Sequence, residues 1–212
     1  MQKNDQIVKR QLYFGMLICF IGAIFYCYEF ILRIVPGALE SELSAAMGNI
    51  SATTFGQISG LYYFAYSPMQ MPVGMLMDRF GPRRLLTFAC FCCVLGSWLF
   101  DITSSLFLVG LGRFLIGFGS SFAFVGVLSL TLNWLPRRLF SLIVGLITTL
   151  GMLGPIYGQI TITHWSEQIG WQQVLLYVTL AGLVLNLFIF LIVRDGPKGH
   201  VSNKYPLPEF FH

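Results

Sequence analysis

The chain has 212 residues, of which 56% are hydrophobic, 16% aromatic and only 10% charged, with a formal net charge of +4. So little charge cannot cover a soluble globule, and that composition places the chain in a lipid bilayer. It also excludes a soluble enzyme or a nucleic-acid-binding module, because the few basic residues are scattered between long apolar runs rather than gathered into a patch.

In chain order, residues 1–11 form a short polar arm with Lys3, Lys9 and Arg10. A first apolar run over 12–35 lacks a small-residue cleavage pattern and is expected to be a retained helix. Its polar and small residues, Gly15, Cys19, Gly22, Tyr26, Glu29 and Arg33, recur at steps of three or four and share one face. A second run over 55–77 repeats the pattern with Gly56, Gly60, Tyr63, Ser67, Gln70, Gly74 and Asp78. A third run, 85–100, is poorer in such groups. The fourth, 106–135, carries Arg113, Gly117 and Ser121, and the fifth, 140–163, carries Thr148, Gly151, Pro155, Gly158 and Thr161. The sixth, 172–193, offers only Thr179, Gly182 and Asn186, and residues 194–212 read as a polar tail or the beginning of a central linker.

A bilayer core about 30 Å thick needs about 20 apolar residues per helix, so six spans are expected. The first, second, fourth and fifth carry polar stripes that should avoid lipid, and the third and sixth are suited to an outer, lipid-facing layer. That order implies two three-helix repeats. Arginine and lysine recur in alternate connections, at Arg79, Arg83 and Arg84, at Arg137 and Arg138, and after the last span, whereas Glu40, Glu42, Asp101 and Glu167 fall in the others. Both termini are therefore expected in the cytoplasm. Trp98, Trp134, Trp165 and Trp171 lie near span ends, where an indole N–H can reach the headgroup layer. The five cysteines all sit in apolar runs, and no histidine lies within one, so neither a metal site nor a histidine proton relay is expected.

The most informative segment is Gly74–Arg84, which packs one acid, three arginines and two glycines into the gap between the second and third runs. Gly81 supplies the positive φ of a tight turn, and Gly74 lets another backbone approach the helix. Asp78 stands at a helix C-terminus, where a negative charge is electrostatically misplaced unless a cation or a helix N-terminus meets it.

This segment resembles the signature of the major facilitator superfamily, G-x-L-x-D-R-x-G followed by basic residues. Gly74, Leu76, Asp78, Arg79 and Gly81 match in order, Arg83 and Arg84 supply the basic end, and Pro82 departs from it. Arg113-Phe-Leu-Ile-Gly117-Phe-Gly119 is similar to the family's R-x-x-x-G-x-G segment. Gly154-Pro155-Ile-Tyr-Gly158 looks like the core of its fifth-helix antiporter motif, although Gln159 replaces the final glycine. The run from Phe25 to Leu43, with Tyr62 to Leu86, looks most like bacterial members of the branch that contains lysosomal dipeptide transporters.

The resemblance implies the N-terminal six-helix half of a twelve-helix secondary transporter, an all-α integral membrane protein that moves a small polar solute by alternating access. It implies a gate built from Gly74, Asp78, Arg79, Gly81, Arg83 and Arg84, and helix packing at Gly117, Gly154, Pro155 and Gly158. Tyr26, Glu29, Arg33, Tyr63, Gln70 and Arg113 are the candidates for solute binding or ion coupling. Glu29 and Arg33 are four apart and able to pair. Counted from Leu12, Glu29 lies about 26 Å up the helix, toward its outer end, so an outer ion pair and a binding site are both open. The solute classes held open are a sugar, a carboxylate and a short peptide, with proton coupling also open. A second six-helix half or self-association is the expected partner besides the lipid. No serine or histidine of an intramembrane protease and no phosphate-binding loop is present, so neither enzyme activity nor a cofactor is expected. The competing reading is a half-size membrane protein acting as a structural or regulatory subunit. The expected location is a bacterial inner membrane, with several passes.

Overall fold

The computed structural model describes residues 2–197 apart from 103 and 104. Lys198 and the rest of the tail lie outside that range. The described residues form eight α-helices: α1 (Gln2–Ala38), α2 (Glu40–Ala46), α3 (Ala52–Phe80), α4 (Pro82–Ile102), α5 (Leu106–Ser120), α6 (Ala123–Trp134), α7 (Phe140–Ile169) and α8 (Trp171–Ile192). A single 3-10 turn, Arg137–Leu139, precedes α7.

The boundaries follow from local chemistry. Ser51 caps α3 by accepting a hydrogen bond from the Thr54 N–H at 3.2 Å. α3 stops at Gly81, whose φ of 83° suits a residue without a Cβ, and Pro82 then opens α4 at the one helical position where its missing N–H costs nothing. Gly170, with φ 87°, makes the corresponding stop between α7 and α8. α5 and α6 form one nearly continuous rod. Ser121 still donates its N–H to Gly117, and Phe122 to Gly119, so the helix tightens at this point without losing its axis.

Five segments are long and apolar enough to cross a membrane: 10–38, 82–100, 106–134, 137–169 and 171–192. α3 is long enough at 29 residues, but Gln57, Gln70, Pro68, Pro72 and its glycines and tyrosines lower its apolar content below the other five. The chain is thus an all-helical, multi-pass integral membrane protein.

Small residues decide which helices meet, because in lipid the backbones must approach closely for packing to hold them. On α7, Gly151 and Gly154 lie against Tyr26 and Cys27 of α1, and a Cβ at Gly154 would stand 3.0 Å from the Cys27 carbonyl oxygen. Gly117 of α5 is pressed on the backbone of Tyr62 in α3. α4 joins α8 through Ser97 and Thr179, whose hydroxyls lie 2.8 Å apart. It joins α5 through Gly96 and Gly112, each facing the other's carbonyl oxygen. Tyr28 of α1 closes the centre, donating to the Val178 carbonyl of α8 at 3.1 Å.

Burial among the described residues is uneven. α4, assigned to the outer layer, has half of its apolar window buried, whereas only 17% of the corresponding window of α7 is covered. The Gly96–Gly112 contact accounts for this, since close backbone approach buries a helix that carries few polar groups.

Candidate functional site

α1, α3 and α5 bring four of the chain's polar side chains together inside the bundle. Glu29 of α1 is 1% exposed. Its carboxylate meets Arg33, one turn further on, with Arg33 Nη2 3.2 Å from Oε2 and 3.4 Å from Oε1. Tyr62 of α3 donates its hydroxyl to Glu29 Oε2 at 3.2 Å and accepts from Arg33 Nε at 3.0 Å. The three side chains thus form a closed triangle in which every contact is a charge-assisted hydrogen bond. Such a pair, if broken, leaves an ion in a medium that solvates it poorly.

Aromatic rings surround the cation. The Arg33 guanidinium lies 4.5 Å from the Phe30 ring, 4.9 Å from Tyr66 and 5.3 Å from Tyr62. Arg33 remains 21% exposed, so the network has one open side. Arg113 of α5 approaches the opposite face of the cluster. Its guanidinium is 5.1 Å from the Tyr62 ring and donates through Nη1 to the Leu32 carbonyl at 2.9 Å, while its Nε, shut from solvent, has no partner. Both arginines therefore lie against the Tyr62 ring, while the ion pair of Glu29 is with Arg33.

The neighbours of Tyr62 give the level of the cluster along the bundle. Tyr62 lies against Gly117, which is 11 residues from the start of α5 at Leu106 and 17 from the end of α6 at Trp134. At about 1.5 Å per residue this is about 17 Å from one end of the rod and about 26 Å from the other. Along α1, Glu29 stands 27 residues from Gln2 and 9 from Ala38.

The other candidates spread out. Tyr26 is half-buried and edge-on to Phe30, 5.0 Å between centroids, one turn from Glu29. Tyr63 is 54% exposed and Gln70 is exposed on α3, outside the triangle. Gly158 packs on Ile31, and Pro155 lies within α7 with no break in the helix.

At the far end of α3, Asp78 and Arg79 are exposed, and Asp78 has no polar partner among the described residues. The space beside Gly74 is empty within 4 Å. The turn itself is held from α8. Asp195 accepts the Arg83 backbone N–H at 2.8 Å, Arg83 Nη2 donates to the Phe190 carbonyl at 2.9 Å, and the Trp134 indole donates to the Arg194 carbonyl at 2.8 Å. Asp195, three residues beyond the end of α8, acts as the cap of α4. Sequence reasoning missed both Asp195, read as tail, and Tyr62, which no spacing rule singles out.

Comparison with known proteins completes the description. The model of the Major Facilitator Superfamily matches residues 12–210. The chain is 28% identical over 184 residues to the "Quinolone resistance transporter" of Acinetobacter baumannii, covering 82% of this chain and 41% of that protein. It is 28% identical over 200 residues to the "Probable galactarate/D-glucarate transporter GarP" of Escherichia coli (strain K12), covering 89% of this chain and 43% of that protein. It is also 28% identical over 144 residues to the "Lysosomal dipeptide transporter MFSD1" of Mus musculus, covering 65% of this chain and 30% of that protein. Among solved structures, a bacterial homolog to the human lysosomal transporter Spinster, inward-facing and unoccupied, superposes with a TM-score of 0.76 at 15% identity, over 92% of this chain and 46% of that one. That likeness establishes the fold. The chain spans less than half the length of each of these relatives.

Proposed function

We propose that this chain, which belongs to the Major Facilitator Superfamily, forms the N-terminal six-helix half of a secondary transporter for a small polar solute and works by alternating access with a second half. The observation that carries the reading is the Glu29–Arg33–Tyr62 triangle beside Arg113, in mid-bundle and open on one side. An intramembrane acid and two arginines are costly to retain, and such groups mark solute or ion pathways. The cluster holds two arginines around Tyr62 and a single acid, and that excess of positive charge favours a carboxylate-bearing solute over a sugar. Glu29 is the group able to take up a coupling proton, because its release from Arg33 would be linked to solute arrival.

α3 serves as the sixth span. Its 29 residues reach about 43 Å, and the short connection at Gly81 sends α4 back antiparallel to it. Numbering the spans I (α1), II (α3), III (α4), IV (α5–α6), V (α7) and VI (α8), the pairs described above are I–V, II–IV, III–VI, III–IV and I–VI. Exchanging the first three spans with the last three leaves that set unchanged, which supports two three-helix repeats. Asp78, exposed and without a partner in this half, serves as the cytosolic latch, meeting a helix end of the second half when the transporter opens outward. Gly74 leaves room for that helix. Both termini face the cytoplasm of a bacterial inner membrane, residues 1–11 forming an arm, 12–193 the bundle and 194–212 the start of the linker.

Glu29→Gln tests the site in an active assembly. The amide keeps the shape and loses the charge, so uptake should fall at least tenfold with abundance retained, and its dependence on pH should flatten. Wild-type uptake with an unchanged pH profile would refute the role of Glu29.

A further inference from the structure

Outside the bundle interior, α4 and α8 line a groove of about 470 Å³ at the end of the helices holding the Gly81 turn. Its walls are Phe88 and Phe91 of α4 and Phe190 of α8, each about half exposed. Arg83 and Arg84 form its rim. Arg83 is fixed, since its guanidinium donates to the Phe190 carbonyl at 2.9 Å and lies 5.4 Å from the Phe190 ring. Arg84 is exposed and has no acid among the residues that line the groove. Asp195, nearby, is engaged by the Arg83 backbone N–H and is not part of the lining.

Asn186 stands one helical turn inside Phe190, about 6 Å deeper. Its Oδ1 is shut from solvent and unpaired. An amide in an aromatic groove at hydrocarbon depth is costly without a partner. Because a half-turn about its last bond exchanges oxygen for NH₂, the same group can present an N–H to an acceptor in the groove.

We propose that this groove is a binding site for an anionic glycerophospholipid, with the phosphate on Arg84 and Arg83, an ester carbonyl at Asn186 and an acyl chain along Phe88, Phe91 and Phe190. The order of groups fits the order of depth in a lipid: charge at the rim, an ester one turn below and hydrocarbon beyond. Trp134, whose indole donates to the Arg194 carbonyl at the same end, marks this level as the interface. A free anion would use the arginines but leave the phenyl walls and Asn186 without a role. The volume lies in the range of small-molecule pockets. The site is distinct from the solute cluster and goes beyond the transport reading.

The test uses the full chain in mixed micelles with equal amounts of dioleoyl phosphatidylglycerol and dioleoyl phosphatidylcholine, with retained lipid read by native mass spectrometry. The wild type should retain phosphatidylglycerol preferentially, and Arg84→Gln should lower that preference about fivefold, the value of one interfacial cation. Arg84→Lys should keep most of it, and Arg138→Gln, at the α6–α7 connection, should leave it unchanged. An unaltered preference in Arg84→Gln, or an equal loss in Arg138→Gln, would overturn the site in favour of diffuse charge. Excess inorganic phosphate, against chloride of equal ionic strength, should not displace the lipid. Full displacement would assign the arginines to a free anion and overturn the lipid reading. If Arg84→Gln loses its helical spectrum, Phe88→Ala decides: retention of both lipids should fall, and unchanged retention would overturn the groove.

Discussion

Replacing Gly117 by alanine adds one methyl group where α5 touches α3, and the structure sets the size of the effect. The new Cβ would stand 2.8 Å from the Tyr62 carbonyl carbon and 2.9 Å from its Cα, about 0.6 Å inside ordinary contact at 3.4 Å. Those atoms are backbone and cannot rotate away, so α3 must move. Overpacking of this kind costs about 1–3 kcal/mol, against a helix-propensity gain of up to about 1 kcal/mol for alanine over glycine. A net loss of about 1–2 kcal/mol lowers the unfolding midpoint by about 3–6 °C for a chain of this size. Gly74→Ala is the internal comparison, because no atom lies within 4 Å of the added methyl and only the propensity gain remains. Thermal unfolding of the two variants in the same detergent, followed by tryptophan fluorescence, reads both signs. Gly117→Ala should be destabilised and Gly74→Ala unchanged or slightly stabilised. Equal midpoints for Gly117→Ala and the wild type, or parallel shifts in both variants, would refute close backbone contact as the bond between α3 and α5.

Two further outcomes follow from the proposed gate and orientation. In an active assembly, Asp78→Asn should slow transport at least tenfold while insertion and abundance stay near wild type, since Asp78 is exposed and has no polar partner among the described residues. Unaltered uptake in radiolabelled-solute assays would remove the latch, and a collapse in abundance would make Asp78 a folding residue. Single cysteines placed in intact cells should react with a membrane-impermeant reagent at position 167 and not at 138. The reverse pattern would overturn the orientation and the cytosolic placement of the Asp78 turn.

Much of the helix layout was legible because it rests on local chemistry. Gly81 followed by Pro82 forces a stop and a start, and the apolar runs bracket α4, α7 and α8 to within a few residues. α2 was not legible, since Glu40–Ala46 has no apolar periodicity and is held only by its neighbours, as where Ser166 of α7 donates to Glu42 at 3.3 Å. The tightening at Ser121–Phe122 was hidden for a similar reason: no proline or loop chemistry marks it.

At the site, the i, i+4 spacing of Glu29 and Arg33 made their pairing readable. Tyr62 was not, because its hydroxyl reaches Glu29 across 33 residues of chain, and only packing at Gly117 places it there. Its one sequence signal is its place in Leu-Tyr-Tyr-Phe, where the reading chose Tyr63; helix rotation puts Tyr63 on the exposed side instead. Asp195 escaped because capping between distant segments has no local pattern.

The central claim of the proposed function is that this chain does not transport alone, because alternating access needs a second bundle to rock against. Purified chain reconstituted in liposomes, with its oligomeric state fixed by size-exclusion chromatography and light scattering, measures this directly. Monomer should give no saturable uptake of carboxylate, sugar or short-peptide probes, and addition of a matching second half should establish it. Saturable uptake by verified monomer would contradict the account.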